Sequence, residues 1–174
     1  FVLFRWGVVM SDRPLVSIIT PSFNQARYIE ATIQSVLGQD YPRIEYIVID
    51  GGSSDGTVDI LKKYALESNT ELFETQKQAS GLHKHSITYW VSEKDKGQTD
   101  AINKGFARAT GDILAWINSD DTYKPGAIAA AVKYLQDHPK VGMVYADCNF
   151  INEDGRVIGK FGSAQTDYRL LRQG

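Results

Sequence analysis

The chain has 174 residues, 43% of them hydrophobic and 23% charged, a composition that suits one globular domain of ordinary size and excludes a disordered chain. Its 19 basic and 21 acidic residues leave a formal net charge of −2, so no overall basic field argues for nucleic acid as a partner. One cysteine, Cys148, excludes an internal disulfide and fits a reducing compartment, and no apolar stretch approaches the ~20 residues of a membrane-spanning helix.

The opening FVLFRWGVVM (1–10) is apolar but short, with Arg5 inside it. It lacks a basic leader and a small-residue cleavage site, so it does not read as a signal peptide. Met10 reads as the natural start and residues 1–14 as an N-terminal extension; a short surface-seeking segment is the alternative. LVSIIT (15–20) is a β-branched apolar run, a buried strand expected to stop at Pro21. Asn24 is placed to cap a helix whose inner face is Ile29, Ile33, Val36 and Leu37, closed by Gly38. IEYIVID (44–50) is a second strand, and after GGSSDGT comes a helix with Val58, Leu61 and Ala65 on one side.

Residues 67–86 break this rhythm. They are polar, lack a period, and read as a flexible, solvated insertion. His83 and His85 flank Lys84 there, an H-x-H pair with no third ligand nearby. ITYWVS (87–92) is a third strand, followed by a helix marked by Ile102, Gly105, Phe106 and Ala109. DILAWI (112–117) is a fourth. Pro125 suits the first turn of a helix that buries Ile128, Ala131, Val132 and Leu135. VGMVYAD (141–147) is a fifth strand, and the alternating runs around Asp154-Gly155 in 149–161 predict a hairpin.

Strand and helix alternate, which predicts an α/β fold: a mostly parallel sheet flanked by helices on both faces. In such sheets ligands bind beyond the carboxyl ends of the strands. Acids collect at those ends: Asp50, then Glu93 and Asp95, then Asp120 and Asp121, then Asp147. Adjacent carboxylates repel unless a cation joins them, and Mg²⁺ or Mn²⁺ held by one or two carboxylates plus substrate phosphates would do so. The bland alternative for Asp120-Asp121 is an acidic helix start. The DGGSSDGT turn lacks the spacing of a phosphate loop, and its acids would repel phosphate. Asp50 is better suited to accept hydrogen bonds from a base N–H or a ribose hydroxyl, and Asp55 to cap the next helix. Phe23 can stack on a base or serve as an ordinary rim aromatic. Asp100 and Asn103 can face the same cleft, or simply favour a solvated helix start.

In this order, VSIITPSFNQARYIEATIQSVLGQ, YIVIDGGSSDGTVDIL and DKGQTDAINKGFARATGDILAWINSDD resemble the blocks of the family 2 glycosyltransferases, over about residues 15–160. The resemblance implies a Rossmann-like GT-A fold, with residues 15–174 the nucleotide-sugar-binding domain. It implies that Thr20, Pro21, Phe23 and Asn24 border the nucleotide. Asp50 matches the first acid of a pair that contacts the base, the second being replaced here by Gly51. Asp100 matches an acidic position near the nucleotide, Asp120 the acid near ribose and metal, and Asp121 the principal metal-ligating acid of a D-x-D-type motif. The implied chemistry is transfer, with inversion, from a nucleotide-sugar donor, a UDP-sugar being expected, with Mn²⁺ or Mg²⁺ as cofactor. The implied acceptor is a sugar, lipid-linked or protein group in cell-surface polysaccharide or glycan synthesis. The setting that the resemblance implies is cytoplasmic, with peripheral association at the inner face of a membrane. The family's catalytic base is expected downstream of Gly174, since no residue after Asp147, Asp167 included, matches it in context; the chain reads as the donor-binding part of a longer enzyme. A non-catalytic nucleotide-sugar-binding module is the rival reading. A dinucleotide oxidoreductase is disfavoured by the missing glycine fingerprint.

Overall fold

The computed structural model describes residues 2–5, 11–66 and 86–162. Six strands form one sheet in the order β4-β3-β2-β5-β1-β6. They are β1 (Val2–Arg5), β2 (Val16–Ser22), β3 (Ile44–Asp50), β4 (Ile87–Ser92), β5 (Ile113–Trp116) and β6 (Met143–Tyr145). β4, β3, β2 and β5 run parallel, with Ile18 opposite both Tyr46 and Ala115. Residues of β2 and β3 alternate between two apolar layers, as a doubly covered sheet requires. Val16, Ile18, Tyr46 and Val48 pack on one side, and Ile19, Ile47 and Ile49 on the other.

The larger layer takes three helices, α1 (Ile29–Leu37), α2 (Thr57–Leu66) and α4 (Ala127–Asp137). The buried face of α4 is Ile128, Ala131, Val132 and Leu135, as its period predicts. The smaller layer takes α3 (Gln98–Arg108). Gly105 is what lets α3 lie so close, since a Cβ there would fall 2.5 Å from Ile19 Cγ2.

Three expectations change. β2 runs through Pro21 to Ser22 instead of stopping before the proline. Gly51 donates to the Ser22 carbonyl at 2.8 Å, so Ser22 faces β3 and Pro21 turns its nitrogen toward β5. The β5 ladder has already ended there, at Ile19 opposite Trp116, so the missing N–H leaves no gap. The strand expected over 141–147 is confined to Met143–Tyr145 and, among the described residues, meets the sheet only through β1. β1 itself lies within the stretch read as an N-terminal extension. It pairs antiparallel with β5 and β6, Leu3 is fully buried, and Phe4 stacks on Trp116 at 5.7 Å between ring centres.

The hairpin forms as expected from β7 (Cys148–Ile151) and β8 (Val157–Phe161), with Gly155 at φ +75° in the turn, as a two-stranded sheet of its own. Of the expected insertion, residues 67–85, with His83 and His85, lie outside the described residues, as does Asp167.

Candidate functional site

A cleft of about 540 Å³ opens over the carboxyl ends of β2, β3 and β5, and Pro21, Phe23, Gly51, Asp95, Asn118 and Asp120 are among the residues that line it. That volume suits a small-molecule ligand. Two backbone bonds hold its floor together past the strand ends: Gly51 N–H to the Ser22 carbonyl at 2.8 Å and Glu93 N–H to the Asp50 carbonyl at 2.9 Å.

Asp50 ends β3 completely buried. Its Oδ2 accepts from Gly52 N at 3.2 Å, Ser53 N at 2.9 Å and Ser92 Oγ at 2.6 Å, and its Oδ1 from Ser53 Oγ at 2.5 Å. It therefore fixes the Gly52–Ser53 turn and ties β3 to β4. Asn24 caps no helix; at φ +52° its side-chain oxygen accepts from Ser54 N at 3.0 Å and its own N–H donates to Ser53 Oγ at 2.7 Å. Asp55 accepts from Thr57 N at 3.1 Å, at the start of α2, and from Ala26 N at 2.9 Å, as its capping role predicts. Its pKa is lowered by the Thr57 hydroxyl and then the Ala26 amide.

The opposite wall follows β5. Asn118 accepts from Gln98 Nε2 at 2.8 Å and donates through Nδ2 to Asp121 Oδ2 at 3.3 Å. The Thr32 hydroxyl holds the Asp121 carbonyl at 2.8 Å, pinning this turn to α1. Partial burial of the Asp121 carboxyl raises its pKa, and the neighbouring Asp120 charge raises it further. Such a group gains from an added cation.

The structure thus brings Pro21, Phe23 and Asp120 to the cleft, with Asp121 beside it in sequence. The other expected residues are engaged elsewhere. Thr20 is buried against the Tyr46 hydroxyl at 3.0 Å, and burial pushes that phenol's pKa up. Asp100 accepts from Lys96 N at 3.2 Å and pairs with Lys104 at 3.4 Å, and its pKa is lowered, first by the Lys96 amide. Sequence reasoning missed Gln98 and left Asp95 out of the site. Their signal is the D-K-G-Q turn, where Gly97 at φ +105° swings the chain over the β4 end.

Among the described residues no group of three or more His, Cys, Asp or Glu side chains could hold a metal ion. The donor set Asp120-Asp121 fits Mg²⁺ or Mn²⁺ only in the mode where ligand phosphates and water complete the shell.

A mostly parallel sheet with four helices among the described residues is an α/β fold of the GT-A type. The chain belongs to glycosyl transferase family 2, whose profile matches residues 17–171. It is 33% identical over 149 residues to a putative teichuronic acid biosynthesis glycosyltransferase of Bacillus subtilis, covering 86% of this chain and 52% of that protein. It is 40% identical over 128 residues to an uncharacterized glycosyltransferase of Mycobacterium tuberculosis, covering 72% of this chain and 42% of that one. The chain therefore spans about half or less of these relatives' lengths. A mannosyltransferase of Pyrobaculum calidifontis, solved with GDP-Man and Mn²⁺, matches at TM-score 0.57 and 30% identity over 74% of this chain and 34% of that one. S. aureus TarS, residues 1–349, shares the fold at TM-score 0.57 and 23% identity, over 71% of this chain and 33% of that one.

Proposed function

We propose that this chain binds the donor of a metal-dependent glycosyltransferase that moves a sugar from a UDP-sugar to a sugar, lipid-linked or protein acceptor, with inversion, in cell-surface glycan synthesis. The observation that carries the reading is the cleft over the strand ends, with Asp120 on its β5 side and Asp121 next to it in the chain. Exposed Phe23 offers a face on which a base can stack. Asp120 and Asp121 would hold Mn²⁺ or Mg²⁺, and Asn118 orients Asp121 from behind. When bound, the metal neutralises charge on the departing diphosphate.

One observation favours the rival reading, that this chain alone binds without transferring. Transfer needs a base within reach of the acceptor hydroxyl. Of the candidate acids, Asp147 pairs with Lys160 at 3.3 Å and Glu153 with Arg27 at 2.8 Å, and neither these nor Asp154 lines the cleft. Calorimetric titration of UDP and GDP with Mn²⁺, alongside release of nucleoside diphosphate with a panel of acceptors, separates the two. Donor binding with release no faster than hydrolysis supports the binding module. Robust transfer makes the chain a complete enzyme and places the base among Asp147, Glu153, Asp154 and Asp167. No Mn²⁺-dependent binding of either nucleotide rejects both.

A further inference from the structure

We propose that Asp95, not Asp50, is the carboxylate that reads the nucleotide base, and that residue 51 is a glycine because Asp95 occupies its side-chain space. The inference rests on the donor-binding reading above and names the base edge it selects.

Asp50 is fully buried, accepts four hydrogen bonds from its own turn and from Ser92, and does not line the cleft. A carboxylate offers about four lone-pair sites, and with three bonds on Oδ2 and one on Oδ1 Asp50 keeps at most one, on a buried side chain outside the cleft lining. Gly51 follows it and does line the cleft. Its φ is not among the left-handed glycine angles of the chain, which belong to Gly52, Gly56, Gly97, Gly126 and Gly155, so backbone conformation does not demand a glycine here. Space does. A Cβ on residue 51 would lie 2.9 Å from Asp95 Oδ2 and 3.2 Å from its Cγ and Oδ1. The Asp95 carboxylate therefore stands where a side chain at 51 would project.

Asp95 is also fixed. Its Oδ1 accepts from Gly97 N at 2.8 Å, which leaves Oδ2 without a hydrogen-bond donor among the described residues. Independently, Ser22 lines the same cleft at 5% exposure, and its hydroxyl has no hydrogen-bond partner among the described residues. Buried polar groups left unpaired are costly, so an orphan at a cleft wall marks a ligand contact. An acceptor from Asp95 and a donor from Ser22 complement an H–N–C=O edge. Uracil and guanine both present that edge. Cytosine and adenine present a bare ring nitrogen at the corresponding position, which the carboxylate repels.

The test is calorimetry on the whole purified chain with Mn²⁺ and UDP, GDP, CDP, ADP or inorganic pyrophosphate. UDP and GDP should bind at least tenfold tighter than CDP and ADP, and comparing the first two identifies which base the site takes. Asp95→Asn should cut that preference to below threefold and leave pyrophosphate binding unchanged. Gly51→Ala, which displaces the Asp95 carboxylate without touching its charge, should do the same at an unaltered melting temperature. Moving the carboxylate, Gly51→Asp with Asp95→Gly, should restore part of the preference. An unchanged UDP-to-CDP ratio in both single variants overturns the role of Asp95 while leaving the donor site standing. A folded parent that binds none of the nucleotides overturns the donor site and this inference with it.

Discussion

Asp50 and Asp121 both follow buried apolar strands, yet their surroundings are opposite. Asp50 is buried and surrounded by donors: two backbone amides and two serine hydroxyls. Asp121 receives one long bond from Asn118, stands beside another acid, and has its pKa raised. The first is a finished electrostatic unit whose purpose is the turn it holds. The second is unfinished, and a cation would complete it. An acid at a strand end is thus structural or ligand-seeking according to the donors around it, which position in the fold alone does not reveal.

The contrast can be broken most directly at Asp50. Asp50→Ala takes the buried acceptor away from the donors of Gly52, Ser53 and Ser92, at about 1–3 kcal/mol for each group that water does not reach. We expect a loss of roughly 3 kcal/mol or more in urea unfolding. A loss below about 1 kcal/mol would mean that water replaces the carboxylate and that the site is open to ligands after all.

Asp121→Ala should show the converse. Its fold should survive with a melting temperature near the parent's, while Mn²⁺-dependent UDP binding is lost, several kcal/mol of diphosphate affinity at order of magnitude. Unchanged binding in calorimetry would remove Asp121 from the site. Asn118→Ala tests the step between them. Asn118 touches Asp121 and Gln98, so it acts on the metal through another side chain. Its removal should weaken Mn²⁺ affinity about 10-fold, the low end of the effect of outer-shell partners.

Much of this was legible beforehand, and the failures have physical causes. β3 and β4 and the inner face of α4 follow directly from their apolar runs and from helical period, signals carried by the local sequence alone. β1 was not legible, because a four-residue strand, VLFR, carries no information about the strands it will join. Pro21 was misread as a stop because its effect depends on which side its nitrogen faces, a property of the neighbouring ladder. Near the cleft, Phe23 and Asp120 could be placed from their position after apolar strands, and both line it. The contacts of Asp50, Asn24 and Asp95 could not. They join residues such as Ser92 and Asp50, 42 positions apart.

The smallest expected effect is on pH dependence, and it separates the acids by sign. For Asp121, the folded pKa lies above the ordinary value of 3.8, so between 3.8 and its raised value the folded protein holds a proton that the unfolded chain has released. Stability therefore falls as pH rises through that window in the metal-free protein. Asp55 runs the other way. Its folded pKa is lowered, so its contribution is present above 3.8 and is lost as pH falls through the lowered value. Asp121→Asn should abolish only the first effect, making the metal-free variant gain on the parent as pH rises from 3.8 through the raised Asp121 pKa and keep that gain above it. Saturating Mn²⁺ with diphosphate should reverse the slope for the parent, because the cation must displace the same proton to bind. Thermal melts from pH 3.5 to 7, with and without metal, read both slopes. Identical slopes for the parent and Asp121→Asn would show that Asp121 is no more strained than any solvated carboxylate, and the contrast with Asp50 would then rest on donors alone.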